Sequence, residues 1–516
     1  MLDERTSQYL HDVRSGKVEP RTDYGFKLKP FPHQRVIFEY FRYVRNLFLN
    51  GDQGVGKTKC VIDYLDFEAE RKGLQRCLVV VPNALKYNWL REYGVHGRVY
   101  GDSVFVVPDS KPKRERLLAK QAPGVYIVNY EKVRSMESSG DALHRFKWDW
   151  VVADESSSIK HRQSKQSKAM HKLADNCPEA RRVIMTGTPV TQGPLDLYSQ
   201  FRFLDKSIFG SSFVNFSTKY ARFRLVNIPG RKPFQEVVGY QGLEELSERA
   251  YSIGVKYDKE ECLDDLPPKS ETVRVVTMPP QMRKDYKSLA EELLLEVKTS
   301  AGSREISVPN VLAKLTKLRQ VSSGFVYEGE GDNRVVIRMR SAPKLLELKS
   351  MIEDSYFNGP FLVWTIFREE SEMIMDLLDS CGVPNDSIHG GVPKEDRQSI
   401  VDQFQEGPKD EVRALICQTS ICAYGLTLTA AADSVVVSRS PNLEHWLQLQ
   451  DRIHRIGQER PCLITSLVVD ESVDVMDMEI LEGKLDVAKV VTGIGLETLM
   501  GKIGRMKPVV DPWKKK

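Results

Sequence analysis

The chain has 516 residues, which implies two or more domains, each large enough for its own core. Hydrophobic residues make up 41% and charged residues 28%, as in ordinary globular proteins, and no stretch approaches the about 18 uncharged apolar residues of a membrane helix. The net charge of +4 is too small to indicate a polyanionic partner by itself, and the eight scattered cysteines support neither a zinc site nor a disulfide framework. The N-terminal segment is mixed in charge and lacks an apolar signal region, so we expect a cytoplasmic or nuclear protein.

The first chemistry-bearing element is a glycine-rich loop that follows a short apolar run. The run at residues 47–49 predicts a buried strand, and GDQGVGKT directly after it fits the pattern G-x-x-x-x-G-K-[ST]. Glycines let backbone N–H groups point inward at phosphates, beside the positive N-terminus of the next helix. Lys57 would reach the terminal phosphates, and the Thr58 hydroxyl would bind a magnesium ion. The sequence predicts an ATP or GTP site made of Gly51, Asp52, Gln53, Gly54, Val55, Gly56, Lys57 and Thr58.

Further apolar runs follow the loop and alternate with helical patterns. They are CLVVVP, VFVVP, VYIVNY, WDWVVADE and RRVIMTGTP. Continuous apolar strands separated by helices predict a parallel sheet covered on both faces, with ligands at the carboxyl ends of the strands. The fourth run ends in Asp154 and Glu155. There, Asp154 would hold the magnesium ion, and Glu155 would orient and deprotonate the attacking water.

A second series of apolar runs begins much later and predicts another α/β domain, without a phosphate loop. Its members are PFLVWTIF, DSIHGG, VRALICQTS, DSVVVSRS and CLITSLVV. The intervening segment is aromatic-rich and then helical. We therefore expect a first lobe at residues 1–205, an inter-lobe region at 206–340, a second lobe at 341–495 and a basic C-terminal tail at 496–516.

The most distinctive stretch is QLQDRIHRIGQ, at residues 448–458. Arg452 and Arg455 are three residues apart, so on a helix they would share one face. Guanidinium groups are suited to spreading charge from a transferring phosphoryl group, which makes this pair candidate catalytic arginines. An amphipathic helix with solvated arginines would explain the pair alone, but not the His, Gly and Gln around it.

This stretch resembles motif VI of the Swi/Snf branch of superfamily-two helicase-like ATPases, which are double-stranded DNA translocases. The other motifs of that branch follow in family order: FPHQ resembles the adenine-reading motif, GDQGVGKT motif I, VVVPNALKYNW motif Ia, IVNYEKV motif Ib, DESSSIKH motif II, MTGTPVTQG motif III, VWTIF motif IV and YGLTLTAA motif V. The resemblance covers about residues 29–484 and implies an α/β fold of two RecA-like parallel-sheet lobes in tandem, with a helical insertion between them. The chain looks like a minimal bacterial or phage-like member, a motor without further modules.

The resemblance also implies site residues. It adds Gln34, as the reader of adenine, and Gly425 to the nucleotide site, so the expected ligands are ATP and Mg²⁺. Polar side chains and free N–H groups at strand ends suit DNA phosphate contacts that carry no base information. The implied DNA contacts are Asn83, Lys86, Asn129 and Tyr130 in the first lobe, and Thr365, Thr419, Gly425 and Thr427 in the second. Apolar members of these motifs, such as Trp89 and Tyr130, are equally well explained as core residues.

The function that the resemblance implies is ATP hydrolysis coupled to translocation on double-stranded DNA. Arg452 and Arg455 would close over the γ-phosphate, so that alternating closure and opening of the lobes shifts the grip on DNA. Such a motor would remodel protein–DNA or branched DNA structures without necessarily separating strands. Two alternatives stay open: an enzyme that reverses forks, anneals or unwinds strands on forked or single-stranded DNA, and an ATP-gated DNA clamp with weak catalysis.

The chain departs from the family pattern at three positions. Ser157 stands where the family often has His in motif II, His161 stands where Asn is usual, and motif III ends in Gln192 in place of Asn. These departures fall at contacts that couple hydrolysis to nucleic-acid binding in the family, whereas the acid pair of motif II is intact.

Overall fold

The computed structural model describes residues 3–21, 23–138, 142–226, 233–263, 266–303, 308–329, 335–408, 411–422 and 426–491. Contacts divide the chain into a first unit, residues up to 262 together with those from 483, and a second unit, residues 263–482. The predicted basic tail at 496–516 lies outside the described residues.

The first unit is built on a parallel sheet and carries a separate antiparallel hairpin. Its strands are β1 (Leu47–Gly51), β2 (Arg76–Val81), β3 (Val104–Val106), β4 (Gly124–Asn129), β5 (Trp150–Asp154), β6 (Arg181–Thr186), the hairpin strands β7 (Ala221–Val226) and β8 (Phe234–Tyr240), and β9 (Gly254–Tyr257). The sheet order is β3-β4-β2-β5-β6-β1-β9. All described pairings in this sheet are parallel, so the carboxyl ends of its strands share one edge.

Helices cover both faces of this sheet. They are α1 (Glu4–Arg14), α2 (Pro32–Tyr43), α3 (Lys57–Lys72), α4 (Lys86–His96), α5 (Lys111–Ala119), α6 (Tyr130–Ser138), α7 (Ala142–Arg145), α8 (Lys165–Asn176), α9 (Asp196–Leu204), α10 (Lys206–Phe209), α11 (Phe213–Tyr220), α12 (Leu243–Tyr251) and α13 (Lys259–Cys262). Successive strand residues point to opposite faces. Leu78 and Val80 therefore enter one apolar core while Val79 and Val81 enter the other, which explains why residues 77–81 of β2 are all apolar.

The second unit has its own parallel sheet. The strands of this unit are β10 (Lys269–Val276), β11 (Phe325–Glu328), β12 (Val335–Arg338), β13 (Phe361–Thr365), β14 (Asn385–Ile388), β15 (Ala414–Gln418), β16 (Asp433–Val436) and β17 (Cys462–Val469). The sheet order is β10-β17-β16-β13-β15-β14, and its pairings are parallel. Strands β11 and β12 form a separate antiparallel pair.

The helices of the second unit begin with a long pair. They are α14 (Pro280–Ser303), α15 (Val308–Ser322), α16 (Pro343–Glu353), α17 (Arg368–Ser380), α18 (Lys394–Glu406), α19 (Thr419–Cys422), α20 (Leu443–Ile453) and α21 (Val473–Val491), the last of which begins in this unit. One core joins Phe361, Val363 and Ile416 of the sheet to Leu348 of α16. Among the described residues, no helix is both long and apolar enough to cross a lipid bilayer.

The expected α/β fold with two parallel-sheet lobes is confirmed. The division by contacts falls after residue 262, inside the segment 206–340 that we expected as an inter-lobe region. Strand β9 pairs with β1, so residues up to 262 belong to the first unit, and β10 pairs with β17, so residues from 263 belong to the second. Both are edge strands, and β10 is largely exposed, so it lacks the continuous apolar run that identified the central strands.

Candidate functional site

The glycine-rich loop joins β1 to α3, and two glycines in left-handed conformation shape it. Gly54 has a φ of 89° and Gly56 a φ of 81°, a region that other residues rarely adopt. Gly56 directly precedes α3, whose first-turn N–H groups have no partners within the helix. The loop and the helix terminus together provide backbone donors for an anion.

Lys57 begins α3 and folds back across the loop. Its ammonium donates to Gly51 O over 2.7 Å and to Asp52 O over 3.0 Å, and the residue is 8% exposed. Thr58, the next residue, is half-buried. These groups fit a nucleotide with a magnesium ion, because phosphate oxygens accept hydrogen bonds and Mg²⁺ prefers oxygen ligands.

Two side chains at the start of α2 hold the loop from the other side. Gln34 accepts from Phe31 N over 3.0 Å and donates to Val55 O over 3.3 Å. The His33 ring also donates to Val55 O, over 2.8 Å, and burial lowers the pKa of His33, which favours the neutral ring. A Cβ on Gly56 would lie 2.2 Å from Gln34 Nε2, so glycine is needed there for space as well as for its φ. His33 was not singled out in the sequence, because a histidine beside a motif residue carries no signal of its own.

Asp154 ends β5 and is held firmly in place. The Trp89 indole N–H donates to Asp154 Oδ2 over 2.7 Å, and the Glu155 N–H donates to Oδ1 over 2.9 Å. Burial raises the pKa of the Asp154 carboxyl, while the hydrogen bond from Trp89 and the charge of Lys57 act in the opposite direction. The predicted magnesium ligand therefore lies within the electrostatic reach of the loop lysine.

Glu155 joins three strand ends. Its φ of 47° is left-handed, an uncommon conformation that clusters at functional sites. One carboxylate oxygen accepts from Gln53 of the loop over 3.3 Å, and the other accepts from Thr186 at the end of β6 over 3.2 Å. The acid pair, the loop and the end of β6 thus meet, as the parallel sheet predicts.

The three departures from the family pattern have different surroundings. Ser157 is 1% exposed, and its hydroxyl has no hydrogen-bond partner among the described residues. The neighbouring Ser156 donates to Gln200 over 2.7 Å. The Gln192 N–H donates to Asp196 over 2.8 Å, and His161 is exposed.

The predicted DNA contacts of the first unit fall into two groups. Asn83 is exposed, and Asn129 Nδ2 donates to its side-chain oxygen over 2.7 Å. Lys86, at the start of α4, is 8% exposed. The expectation that the Tyr130 side chain contacts DNA is corrected, because Tyr130 is 1% exposed and its hydroxyl donates inward to Asp154 O over 2.7 Å. The side chain of Tyr130 therefore belongs to the core that supports Asp154.

The two arginines of motif VI lie close together, but they do not share one face of a helix. Helix α20 ends at Ile453, so Arg455 lies beyond it, and the expectation of a shared helical face is wrong. Arg452 donates to Gln448 O over 2.9 Å and to Leu426 O over 2.8 Å. Arg455 reaches the same Leu426 O over 3.4 Å. The turn after α20 thus brings both guanidinium groups to one carbonyl.

The remaining residues of the motif build that turn. Gln458 is 6% exposed and donates to Ala431 O over 2.8 Å and to Ile453 O over 3.1 Å. Gly457 has a φ of 96°, and the His454 ring contacts Pro267 O over 2.9 Å. The His, Gly and Gln pattern is therefore explained by the fold around the arginines.

The predicted DNA contacts of the second unit are mostly internal. Thr365 and Thr419 are 0% and 4% exposed, and the Thr419 hydroxyl donates to Thr365 O over 2.9 Å. Both side chains are thus buried inside the protein, which corrects the expectation that they contact DNA. Thr427 is exposed, and Gly425 lies outside the described residues.

Gln418 is a residue of this region that sequence reasoning missed. It accepts from Gly390 N over 2.9 Å and donates to Ile366 O over 3.3 Å. It therefore joins the loops after β13 and β14 at the end of β15. The sequence offered no signal for it, since a lone glutamine at a strand end is common.

Comparison with known proteins decides the family. The SNF2-related domain matches residues 33–324, more than half of the chain. The chain belongs to the SNF2-related family. The helicase conserved C-terminal domain matches residues 343–457, so two domain models match this SNF2-related chain, one after the other.

Individual relatives are distant and longer. YwqA of Bacillus subtilis, named as an ATP-dependent helicase/translocase, is 26% identical over 476 residues, which cover 89% of this chain and 48% of that protein. The mouse DNA annealing helicase and endonuclease ZRANB3 is 25% identical over 469 residues, 89% of this chain and 40% of that protein. The SNF2-related chain thus spans about half or less of the length of these relatives. A solved SWI2/SNF2 ATPase core of Sulfolobus solfataricus, in complex with double-stranded DNA, is 21% identical with a TM-score of 0.43, over 94% of this chain and 98% of that one.

Proposed function

We propose that this chain is a DNA-dependent ATPase that translocates on double-stranded DNA and remodels protein–DNA or branched DNA structures, without necessarily separating strands. The observation that carries the proposal is the SNF2-related match over residues 33–324, which spans both the phosphate loop and the acid pair. The names of the relatives, a helicase/translocase and an annealing helicase, support DNA as the substrate.

ATP is the proposed nucleotide, held by the loop of residues 51–58. Lys57 and the first-turn N–H groups of α3 bind phosphate oxygens, and Gln34 recognises adenine. Thr58 and Asp154 hold the magnesium ion, which, when bound, neutralises part of the charge on the phosphate oxygens. Support comes from the placement of Lys57 across the loop and from its electrostatic effect on Asp154.

Glu155 is the proposed base. Its carboxylate receives hydrogen bonds from Gln53 and Thr186, which orient it beside the loop. A carboxylate held in this way can position the attacking water and accept its proton.

Arg452 and Arg455 are the proposed arginines of the same reaction. Their guanidinium groups would stabilise the charge that develops on the γ-phosphate. Their convergence on Leu426 O supports a joint role, because two cations at one place are suited to a dianionic group.

DNA is the proposed polymeric partner, bound through its phosphates. In the first unit the side chains of Asn83, Lys86 and Asn129 remain candidates, and in the second unit Thr427 does. Backbone N–H groups near Thr365, Thr419 and Gly425 would supply contacts where side chains are internal. Similarity to an annealing helicase favours a second candidate, in which forked DNA is the preferred substrate.

Steady-state ATPase assays over duplex, forked and single-stranded DNA and RNA test the proposal. Stimulation by duplex DNA is the expected result, and a clear preference for forks would favour the second candidate. A single-turnover assay at saturating DNA separates both motors from an ATP-gated clamp, which would bind tightly and hydrolyse poorly. Lys57→Ala serves as the inactive reference in each assay.

A further inference from the structure

Two buried aromatic side chains connect the candidate DNA contacts of the first unit to the candidate magnesium ligand. The Trp89 indole N–H donates to the Asp154 carboxylate over 2.7 Å, and the Tyr130 hydroxyl donates to the Asp154 carbonyl over 2.7 Å. Trp89 and Tyr130 are each 1% exposed. The carboxylate and the backbone carbonyl of Asp154 thus each accept a hydrogen bond from a buried aromatic side chain.

The sheet order explains why these groups meet. Strand β2 lies between β4 and β5, and all three run in the same direction. The segment after β2, which carries Asn83 and then Trp89, and the segment after β4, which carries Tyr130, therefore leave the sheet beside the carboxyl end of β5. Asp154 is the last residue of β5.

The outer ends of the two segments are joined as well. Asn129 Nδ2 donates to Asn83 Oδ1 over 2.7 Å, and Asn129 Oδ1 accepts from Lys132 N over 3.1 Å. Asn83 is exposed. A phosphate that takes a donor from this pair would move both segments at once, because Asn129 is bonded directly to Tyr130 and Asn83 opens the turn that leads into the helix of Trp89.

At the buried end of the two segments, Trp89 contacts the carboxylate of Asp154. Asp154 Oδ2 accepts from Trp89, and Oδ1 accepts from the Glu155 N–H over 2.9 Å, so among the described residues Trp89 is the donor to this carboxylate from a distant part of the chain. A buried carboxylate that loses a donor is destabilised strongly. A small shift of Trp89 would therefore change the position of the Asp154 carboxylate, which would hold magnesium. Because the Glu155 N–H donates to the same carboxylate, the shift would also reach Glu155.

We propose that Trp89 and Tyr130 are positioning residues through which DNA contact at the Asn83–Asn129 pair adjusts Asp154 and thereby stimulates ATP hydrolysis. The proposal rests on the proposed function and adds to it a route within the first unit. Because coupling between two binding sites is reciprocal, the nucleotide must change the affinity for DNA by the same factor. Tyr130 then acts in DNA stimulation without touching DNA.

Conservative substitutions test the route. Tyr130→Phe removes only the hydroxyl, and Trp89→Phe removes the indole N–H. The chain offers matched controls. Tyr126, on the strand β4 that precedes Tyr130, donates its hydroxyl to Ala122 O over 2.8 Å, and Trp150, at the amino end of β5, donates its indole N–H to Gln75 Oε1 over 2.7 Å. Tyr126 and Trp150 are as buried as their counterparts, at 0% and 2% exposed, so Tyr126→Phe and Trp150→Phe report the general cost of such changes.

Three quantities are measured on the full chain: the ratio of ATPase rates with and without duplex DNA, the affinity for a fluorescent ATP analogue with and without that DNA, and the affinity for DNA alone by fluorescence anisotropy. Trp89→Phe and Tyr130→Phe should each lower the stimulation ratio and the nucleotide–DNA coupling factor by about 10-fold, with DNA affinity alone within about 2-fold of wild type. The two controls should leave the stimulation ratio and the coupling factor near wild type.

The proposal is overturned if the two variants keep the wild-type ratio, or if the controls lose it equally, since the effect would then be a general one of core packing. Thermal unfolding midpoints of all four variants identify any loss of fold. A wild-type chain without DNA stimulation would contradict the proposed function itself, which is a separate and recognisable result.

Discussion

The indole N–H of Trp89 donates to the carboxylate of Asp154 over 2.7 Å, and both side chains are almost fully buried. The contact joins a helix that begins at a candidate DNA residue to the end of the strand that carries the acid pair. The phosphate loop reaches the same pair from the other side, through Gln53 and Glu155. The candidate nucleotide site of the first unit is therefore built from several strand ends.

Lys57→Ala should reduce ATP turnover at least about 100-fold, because the ammonium is the loop's cation for the terminal phosphates. Lys72→Ala is the matched control, since Lys72 lies at the other end of the same helix with a side chain 53% exposed. Phosphate release under saturating ATP and duplex DNA measures both. Equal rates of phosphate release in the two variants would show that Lys57 takes no part in ATP turnover.

Glu155→Gln should lower hydrolysis by about 100- to 10,000-fold while the chain still binds ATP, because the amide keeps the shape but accepts no proton. Binding of a fluorescent ATP analogue checks that the nucleotide is retained. Glu179→Gln, with a side chain 93% exposed, should behave as wild type. Undiminished hydrolysis in Glu155→Gln would show that another group activates the water.

Gln418→Ala should raise the DNA concentration for half-maximal ATPase stimulation by about 5-fold, which corresponds to about 1 kcal/mol of binding free energy. The change releases Gly390 N and Ile366 O, two groups in loops at the strand ends of the second unit. Gln398→Ala, which removes an exposed bond to Asp402, is the control. The prediction fails if the two variants need the same DNA concentration.

Asp477→Ala should destabilise the second unit by about 3–5 kcal/mol, because it leaves Arg319 as a buried, unpaired cation. Arg319 donates to both carboxylate oxygens of Asp477, over 2.6 and 2.7 Å. Asp376→Ala breaks an exposed pair with Arg338 and should cost less than about 1 kcal/mol. Urea denaturation of both variants gives the comparison, and similar losses would contradict it.

Sequence reasoning succeeded where chemistry lies in one contiguous stretch. The glycine-rich loop between a strand and a helix, the strand that ends in Asp154 and the two parallel sheets were predicted, because glycine spacing and continuous apolar strands are local signals. Strand β10 was missed because its largely exposed residues form no continuous apolar run, and β9 was missed because it is only 4 residues long and includes Lys256.

Side-chain direction was harder to predict. Tyr130 has the polar group expected of a DNA contact, yet its hydroxyl points at Asp154 because of how α6 leaves the sheet. Arg455 was expected on a helix, but the chain turns after Ile453 and brings it to Leu426 through tertiary contacts. Such features depend on residues far apart in the chain, which spacing alone does not reveal.

The proposed function requires that duplex DNA stimulates ATP hydrolysis and that Arg455 takes part in the reaction. The most direct measurement is the steady-state ATPase rate with and without duplex DNA, for the wild type and for Arg455→Ala, with Arg460→Ala as a control from the same segment. We expect strong stimulation in the wild type and in the Arg460→Ala control, and loss of hydrolysis with the fold intact in Arg455→Ala. Wild-type DNA-stimulated hydrolysis in Arg455→Ala, or no stimulation of the wild type by duplex DNA, would disprove the proposed function.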